Sequence, residues 1–163
     1  MTKWGYHVRD QDNDAFQFRW MKILLDPSHK YYKEAPRMRE MVAALATLGK
    51  SAEDVVSDYL KCFWDHTVQT LRRKHEELTQ YTWQVVLTVP AVWSPSARDK
   101  TLKAAIKAGM PEDLQLVTEP ETAALAVLKD KSEEDTIGVR SPLIYKYTVR
   151  GGAELYILIT LDR

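Results

Sequence analysis

Apolar residues and one threonine recur at spacings of three and four after Ser51, which is the period of one face of an α-helix. The stripe consists of Val56, Leu60, Phe63, Thr67 and Leu71. Ser51 is a favoured residue at a helix N-terminus, and the helix dipole favours Glu53 and Asp54 in the first turn. The pattern therefore predicts a long amphipathic helix that begins just after Ser51.

The first fifty residues have a mixed pattern, interrupted at Pro27 and Pro36. Residues 16–25 are densely apolar, so we expect most of them to lie in a core. A shorter helix is predicted over about Pro36–Leu48, with Gly49 in the position that ends helices in a left-handed conformation.

The pattern changes to α/β from Trp83 onward. The stretch "WQVVLTV" is almost continuously apolar and β-branched, as in a strand covered on both faces. Ser94 and Pro95 then start a helix that ends before Gly109, with Leu102, Ala105 and Ile106 expected on its buried face. A second strand, "LQLVT", follows. This order predicts two parallel strands joined by a helical crossover.

An Ala-rich helix is predicted over residues 120–128, where Ala123, Ala124 and Ala126 would permit close packing. The last 23 residues contain two strand-like segments joined at Gly151 and Gly152, as in a tight hairpin. Residues 155–161 end the sequence as an apolar strand, and we expect this strand to lack a neighbour and to promote self-association.

Overall charge and composition exclude several classes of partner. The formal net charge is zero and the pI is about 6.9, so no global field attracts nucleic acid or an anionic membrane. No apolar stretch is long enough to cross a bilayer. Cys62 is the single cysteine, which excludes an internal disulfide and favours a cytoplasmic location. The four histidines show no metal-ligand spacing with it.

Glu119 is the strongest candidate for chemistry because it stands where an apolar strand passes into an apolar helix, in "LVTEPETAALAVL". A carboxylate there has two explanations. It can be a helix-start residue stabilised by the dipole, or it can point into a cleft and act in catalysis.

Two longer stretches resemble the nucleotide-binding domain of the DnaK-type heat-shock protein 70 family. "VVLTVPAVW" is followed by a helix that ends in "KAAIKAGM", and the next strand leads into "LVTEPETAALA". The segments "KWGY" and "FRWMKILLDP" are similar to divergent members of the family, including shortened forms. The specific part of the resemblance covers residues 83–129.

The resemblance implies an α/β fold, namely part of an actin-like ATPase (ribonuclease H-like) lobe with a helical insert. Residues 1–82 would form the insert and residues 83–163 part of the ATPase core. The implied cofactors are ATP and Mg²⁺. Glu119 would lie beside a magnesium-bound water and the γ-phosphate, without ligating the metal directly. Thr88 and Pro90 would form an interlobe relay, although Pro90 can equally be a simple strand terminator.

The family's two phosphate loops are the main point of departure. The first would precede the matched region and is not found in this sequence. The second is represented by "VRGGAELY", in which Gly151 and Gly152 match. Val149 and Tyr156 stand where acids belong, and Glu154 would repel phosphate.

These departures predict a truncated chain with weak or no ATPase activity by itself, since the adenine-binding residues would follow Arg163. The expected partners are ATP or ADP and protein clients or co-chaperones, with no nucleic acid and no membrane. The main alternative is a non-catalytic interaction fragment that docks through the sheet edge and the long helix. A sugar kinase of the same superfamily is a third possibility, but no acidic sugar-site motif supports it.

Overall fold

A four-stranded sheet with helices packed against it forms the centre of the molecule. The computed structural model describes residues 17–28, 36–74, 82–124, 143–149 and 153–162. In chain order these contain a 3-10 helix (Met21–Leu25), α1 (Pro36–Leu48), α2 (Ala52–Lys74), β1 (Thr82–Val89), α3 (Pro95–Lys107), β2 (Gln115–Thr118), the start of α4 (residues 119–124), β3 (Leu143–Val149) and β4 (Ala153–Asp162).

The helices begin at the predicted capping residues. Ser51 Oγ accepts from the Asp54 N–H at 3.1 Å, and the Asp54 carboxylate accepts from the Ser51 N–H at 2.8 Å, which is a reciprocal capping arrangement at the start of α2. At α3, Ser94 Oγ accepts from the Ala97 N–H at 3.2 Å, and Pro95 occupies the first turn. The predicted starts of both helices are therefore confirmed.

The two predicted glycine stops are also confirmed. Gly49 and Gly109 have φ values of 61° and 87°, which an L-residue rarely adopts. After each glycine the next N–H bonds back to a carbonyl five residues earlier, Lys50 to Leu45 at 3.0 Å and Met110 to Ala105 at 3.2 Å. This pattern is the Schellman motif, which satisfies the last carbonyls of α1 and α3.

The strands β1 and β2 are parallel and adjacent, with Val86 paired to Gln115 and Val89 to Thr118. Since α3 connects them, the predicted strand–helix–strand unit is confirmed. The two C-terminal strand segments also form the predicted antiparallel pair, in which Val149 is opposite Ala153.

The position of β4 corrects one expectation. The strand order is β2–β1–β4–β3, and β4 pairs antiparallel with β1 on one side and β3 on the other. The prediction that the last strand lacks a neighbour is therefore wrong. Residues 153–159 of β4 pair with β3 and residues 157–162 pair with β1, so every described residue of the strand has a neighbour on at least one side. Within the described sheet, β2 and β3 are the edge strands instead.

One core cluster joins the long helix to the sheet. All five residues of the predicted α2 stripe are buried. Its members Val56 and Leu60 share a cluster with Val85, Leu87 and Val89 of β1. A second cluster joins the 3-10 helix, α1 and the first turn of α2, and it includes Leu24, Met38, Met41, Leu45 and Val55.

Burial differs from the expectation in three places. Within the apolar segment of residues 16–25, Leu24 and Leu25 are buried but Trp20 is 48% exposed. On α3, Leu102 and Ile106 are only half-buried, and the buried face consists of Ala97, Thr101, Ala104 and Ala105. In the described part of α4, Ala123 and Ala124 are exposed and Thr122 is the buried residue, so these two alanines do not provide the expected close packing. Ala126 and the rest of the predicted helix lie outside the described residues.

Candidate functional site

The carboxyl ends of β1 and β2 lie side by side and bring three of the predicted residues to one edge of the sheet. Thr88 is paired with Val117, and the next pair is Val89 with Thr118. Pro90 and Glu119 are the residues that follow these paired ends. In open α/β sheets, ligands bind outside the carboxyl ends of the strands. Gly151 and Gly152, the predicted phosphate-loop remnant, lie outside the described residues.

Thr88 and Pro90 differ in their surroundings. Thr88 is 6% exposed. Its neighbours Leu87 and Val89 belong to the core shared with the helices, so the alternation of a strand places Thr88 on the opposite face of the sheet. Pro90 is half-buried at the start of a turn. Arg98 of α3 donates to the Ala91 carbonyl at 3.3 Å, which ties this turn to the helix that follows.

Thr118 and Glu121 together cap the start of α4. Glu121 Oε2 accepts from the Thr118 N–H at 2.9 Å and from the Thr118 hydroxyl at 2.7 Å. The Glu121 N–H bonds in return to Thr118 Oγ1 at 3.4 Å. These hydrogen bonds, led by the one from the Thr118 hydroxyl and assisted by the positive charge of Arg98, hold the pKa of Glu121 below its ordinary value. The capping carboxylate is therefore Glu121.

Glu119, the first residue of α4, makes a different contact. Its Oε1 atom lies 3.2 Å from Nζ of Lys22, and both side chains are about one-third exposed, at 32% and 31% respectively. Lys22 belongs to the 3-10 helix, which contacts both α2 and α3. The carboxylate of Glu119 is thus held by a cation from a distant part of the chain and remains accessible at the edge of the sheet. Its catalytic role stays a prediction.

A buried aspartate lies in the same neighbourhood. Asp26, which follows the 3-10 helix, is 3% exposed. Its carboxylate accepts from the N–H and the hydroxyl of Ser94, each at 3.3 Å, and from the N–H and the hydroxyl of Ser28. The Ser28 hydroxyl contributes most to holding the pKa of Asp26 below its ordinary 3.8, against the opposing effect of burial.

Sequence reasoning missed both Lys22 and Asp26. Each carried a weak signal, because Lys22 is a single charge inside the apolar run "WMKILL" and Asp26 is an acid between that run and Pro27. Their partners, however, are 97 and 68 positions away along the chain. A charge in an apolar run indicates that a partner is needed, but it does not identify the partner.

The described parts of the chain hold neither a cluster of metal-binding side chains nor a membrane-spanning helix. They contain no group of three or more His, Cys, Asp and Glu side chains placed to hold a metal ion. In the same ranges, no helix is both long enough and apolar enough to cross a membrane.

The sequence is similar to two curated chaperones over part of its length. A stretch of 75 residues, 44% of this chain, is 37% identical to the chaperone protein dnaK of Phaeodactylum tricornutum. The chaperone protein dnaK of Trieres chinensis shows the same identity over the same length. The match spans 12% of the length of each relative. No family model matches the chain, and no solved structure matches it.

Part of the chain is therefore similar to heat-shock protein 70 chaperones of the DnaK type, as its motifs predicted. The actin-like fold, the truncation and the binding of a nucleotide stay predictions.

Proposed function

We propose that this chain forms part of the ATPase domain of a heat-shock-70-like chaperone, in the actin-like fold, and that it acts in the cytoplasm. The intact domain would bind and hydrolyse ATP to drive a conformational switch. The observation that carries the proposal is the position of Glu119. Its carboxylate follows the end of β2 beside the end of β1 and is about one-third exposed, while Glu121 accepts the capping hydrogen bonds.

The chemistry of phosphoryl transfer suits such a site. Hydrolysis of ATP depends on positioning of the reactants and on stabilisation of developing charge more than on covalent catalysis. A carboxylate fixed at the junction of a strand and a helix can orient the attacking water by accepting its hydrogen bond. Lys22, 3.2 Å from Glu119, brings a positive charge that can bind phosphate oxygens.

Mg²⁺ is compatible with a site that has one accessible carboxylate. Proteins commonly bind this ion through one or two carboxylates together with waters and the phosphates of the substrate. Glu119 would hold the ion through a water, and the bound ion would neutralise phosphate charge. No direct protein ligand set is required for this role.

Thr88 and Pro90 would connect this site to closure of the two lobes. Both adjoin the end of β1, next to the strand that leads to Glu119. A change of the turn at Pro90 would be transmitted to α3 through the contact between Arg98 and the Ala91 carbonyl.

The isolated chain should nevertheless bind Mg-ATP poorly. Of the family's two phosphate loops, one is not found in this sequence, and "VRGGAELY" carries Val149, Glu154 and Tyr156 at unfavourable positions. The phosphates would thus lack most of their N–H donors. Titration of the purified chain with a fluorescent ATP analogue and Mg²⁺ should show no saturable micromolar binding that ATP competes.

A chimera tests the proposed function itself. Residues 83–130 would replace the corresponding segment of the chaperone protein dnaK of Phaeodactylum tricornutum, which supplies the phosphate loops. We expect the chimera to bind Mg-ATP and to hydrolyse it. A folded chimera that binds ATP but does not hydrolyse it would contradict the proposal. It would favour a non-catalytic interaction fragment that binds clients or co-chaperones.

A further inference from the structure

Asp26 connects two parts of the candidate site through buried hydrogen bonds. Two hydrogen bonds to the Asp26 carboxylate are local, because their donor Ser28 is two residues away. Two more come from the N–H and the hydroxyl of Ser94, which lies 68 positions away along the chain. Ser94 is also the residue that caps α3, so the carboxylate of Asp26 lies at the N-terminus of that helix. The dipole of α3 favours negative charge at this position.

The same short segment carries Lys22. The 3-10 helix Met21–Leu25 ends directly before Asp26, whose N–H bonds to the Ile23 carbonyl at 3.1 Å. Leu24 and Leu25 fix the segment by apolar burial, one in each core cluster. Apolar contacts are non-directional. The four hydrogen bonds to the Asp26 carboxylate are directional, so they can fix the rotation of the 3-10 helix relative to the sheet edge.

We infer that Asp26 is a positioning residue that anchors the Lys22 segment to the start of α3 and thereby holds Lys22 against Glu119. This role concerns the geometry of the pair and does not depend on ATP being the ligand. It also explains why an ionised acid is buried beside Ser94 when a serine alone can cap α3.

The contact between Lys22 and Glu119 can be measured directly in the full chain by zero-length cross-linking. A water-soluble carbodiimide activates the Glu119 carboxyl group, and the Lys22 amine displaces the activating group to form an amide. The carbodiimide takes up the water and leaves as the urea. Quantitative mass spectrometry reports the yield of the linked peptides.

The pair of Lys107 and Asp54 gives an internal control in the same sample. It joins α3 to α2 across the helix interface and involves neither Asp26 nor the 3-10 helix. The ratio of the two cross-links therefore cancels any general loss of structure. A purely structural contribution of Asp26 would lower both yields together.

Asp26→Asn keeps the size of the side chain but removes its charge and half of its acceptor capacity. We expect the ratio of the Lys22–Glu119 cross-link to the Lys107–Asp54 cross-link to fall roughly threefold or more, because hydrogen bonds to a buried ion contribute strongly to local docking. Ser94→Gly retains the N–H donor and a tolerated cap, so we expect a smaller fall of about twofold.

An unchanged ratio in both variants would overturn the inference. If Asp26→Asn does not fold, Ser94→Gly alone decides. A reduced ratio then supports the positioning role, and a ratio equal to that of the parent chain contradicts it.

Discussion

Lys22 and Glu119 lie 97 positions apart in the chain, yet Nζ of the lysine is 3.2 Å from Oε1 of the glutamate. The pair joins the 3-10 helix to the residue that follows the end of β2. Each side chain remains about one-third exposed. An ion pair with this exposure contributes little to folding, because water screens the charges and the side chains lose conformational freedom. Their partial exposure leaves both charges accessible at the edge of the sheet.

Neutralising Lys22 should have little effect on stability. We expect Lys22→Met to lower the free energy of unfolding by less than about 1 kcal/mol, as is usual for a partly exposed pair. Urea denaturation followed by circular dichroism gives the value. Lys61→Met is the matched control, since Lys61 pairs with Asp65 at the same distance of 3.2 Å on the surface of α2. A much larger loss for Lys22→Met than for the control would make the pair a structural contact.

In contrast to Lys22, Thr118 should contribute measurably to the stability of the protein because it caps α4. Thr118→Ala removes the hydroxyl that donates to Glu121 and accepts from its N–H, so it should cost about 0.5–2 kcal/mol of stability. Urea denaturation of Thr118→Ala and of Glu119→Gln, measured side by side, distinguishes the capping role of Thr118 from the role of Glu119. A Glu119→Gln variant that loses as much stability as Thr118→Ala would show that Glu119 is itself required for the helix start.

Asp26 should make stability depend on pH in the acidic range. Its folded-state pKa lies below the ordinary 3.8, so the unfolded chain takes up a proton first as the pH falls. The stabilisation is therefore fully present above the unfolded pKa, and it is lost as the pH falls through the folded pKa. Urea midpoints measured between pH 6 and pH 3 should drop less steeply for Asp26→Asn than for the parent chain. Parallel plots of urea midpoint against pH for the two proteins would contradict a lowered pKa of Asp26 in the folded state.

Two buried threonines on neighbouring helices provide a matched test of hydrogen bonding in the core. Among the described residues, Thr67 of α2 is fully buried and its hydroxyl has no hydrogen-bond partner. The hydroxyl of Thr101 on α3 donates to the Ala97 carbonyl at 2.8 Å. Valine has nearly the same shape as threonine but lacks the hydroxyl.

We expect Thr67→Val to stabilise the protein by about 1 kcal/mol, since it removes an unsatisfied buried polar group. Thr101→Val should instead destabilise it by a similar amount, about 1 kcal/mol, because a formed hydrogen bond is lost. Thermal or urea denaturation of the two variants gives the sign of each change in the free energy of unfolding. Equal destabilisation by both would indicate that the Thr67 hydroxyl is satisfied in solution.

The helix boundaries were predictable because their signals are local. Ser51 and Ser94 accept hydrogen bonds from residues three positions later, and Gly49 and Gly109 supply the positive φ with which α1 and α3 end. These boundaries depend on residues within one or two turns of each other. The parallel pairing of β1 and β2 followed instead from the order and length of the strand, helix and strand.

The position of β4 and the surroundings of Glu119 were not predictable in this way. An apolar strand can pair on either side, and the sequence of β4 does not show that β1 and β3 both bind it. Lys22 and Asp26 find their partners across 97 and 68 positions, so no local pattern specifies them. The candidate residue Glu119 could be named from the sequence, but the cation that holds it could not.

Glu119 is proposed to act in ATP hydrolysis, and its neighbour Glu121 offers a close control. In the chimera that carries residues 83–130, each glutamate would be changed separately to glutamine, which keeps the size and removes the charge. Glu121 is bonded to Thr118, so Glu121→Gln should lower the melting temperature and leave turnover nearly unchanged. Glu119→Gln should leave ATP affinity nearly unchanged.

Single-turnover hydrolysis of Mg-ATP by these two variants is the most direct measurement. A carboxylate that orients the attacking water is typically worth about 10² to 10³ in rate, so Glu119→Gln should slow the chemical step by that factor. The Glu121→Gln chimera should retain the rate of its parent. Parental turnover in the Glu119→Gln chimera, with a loss of melting temperature alone, would contradict the account and leave Glu119 as a helix-start residue.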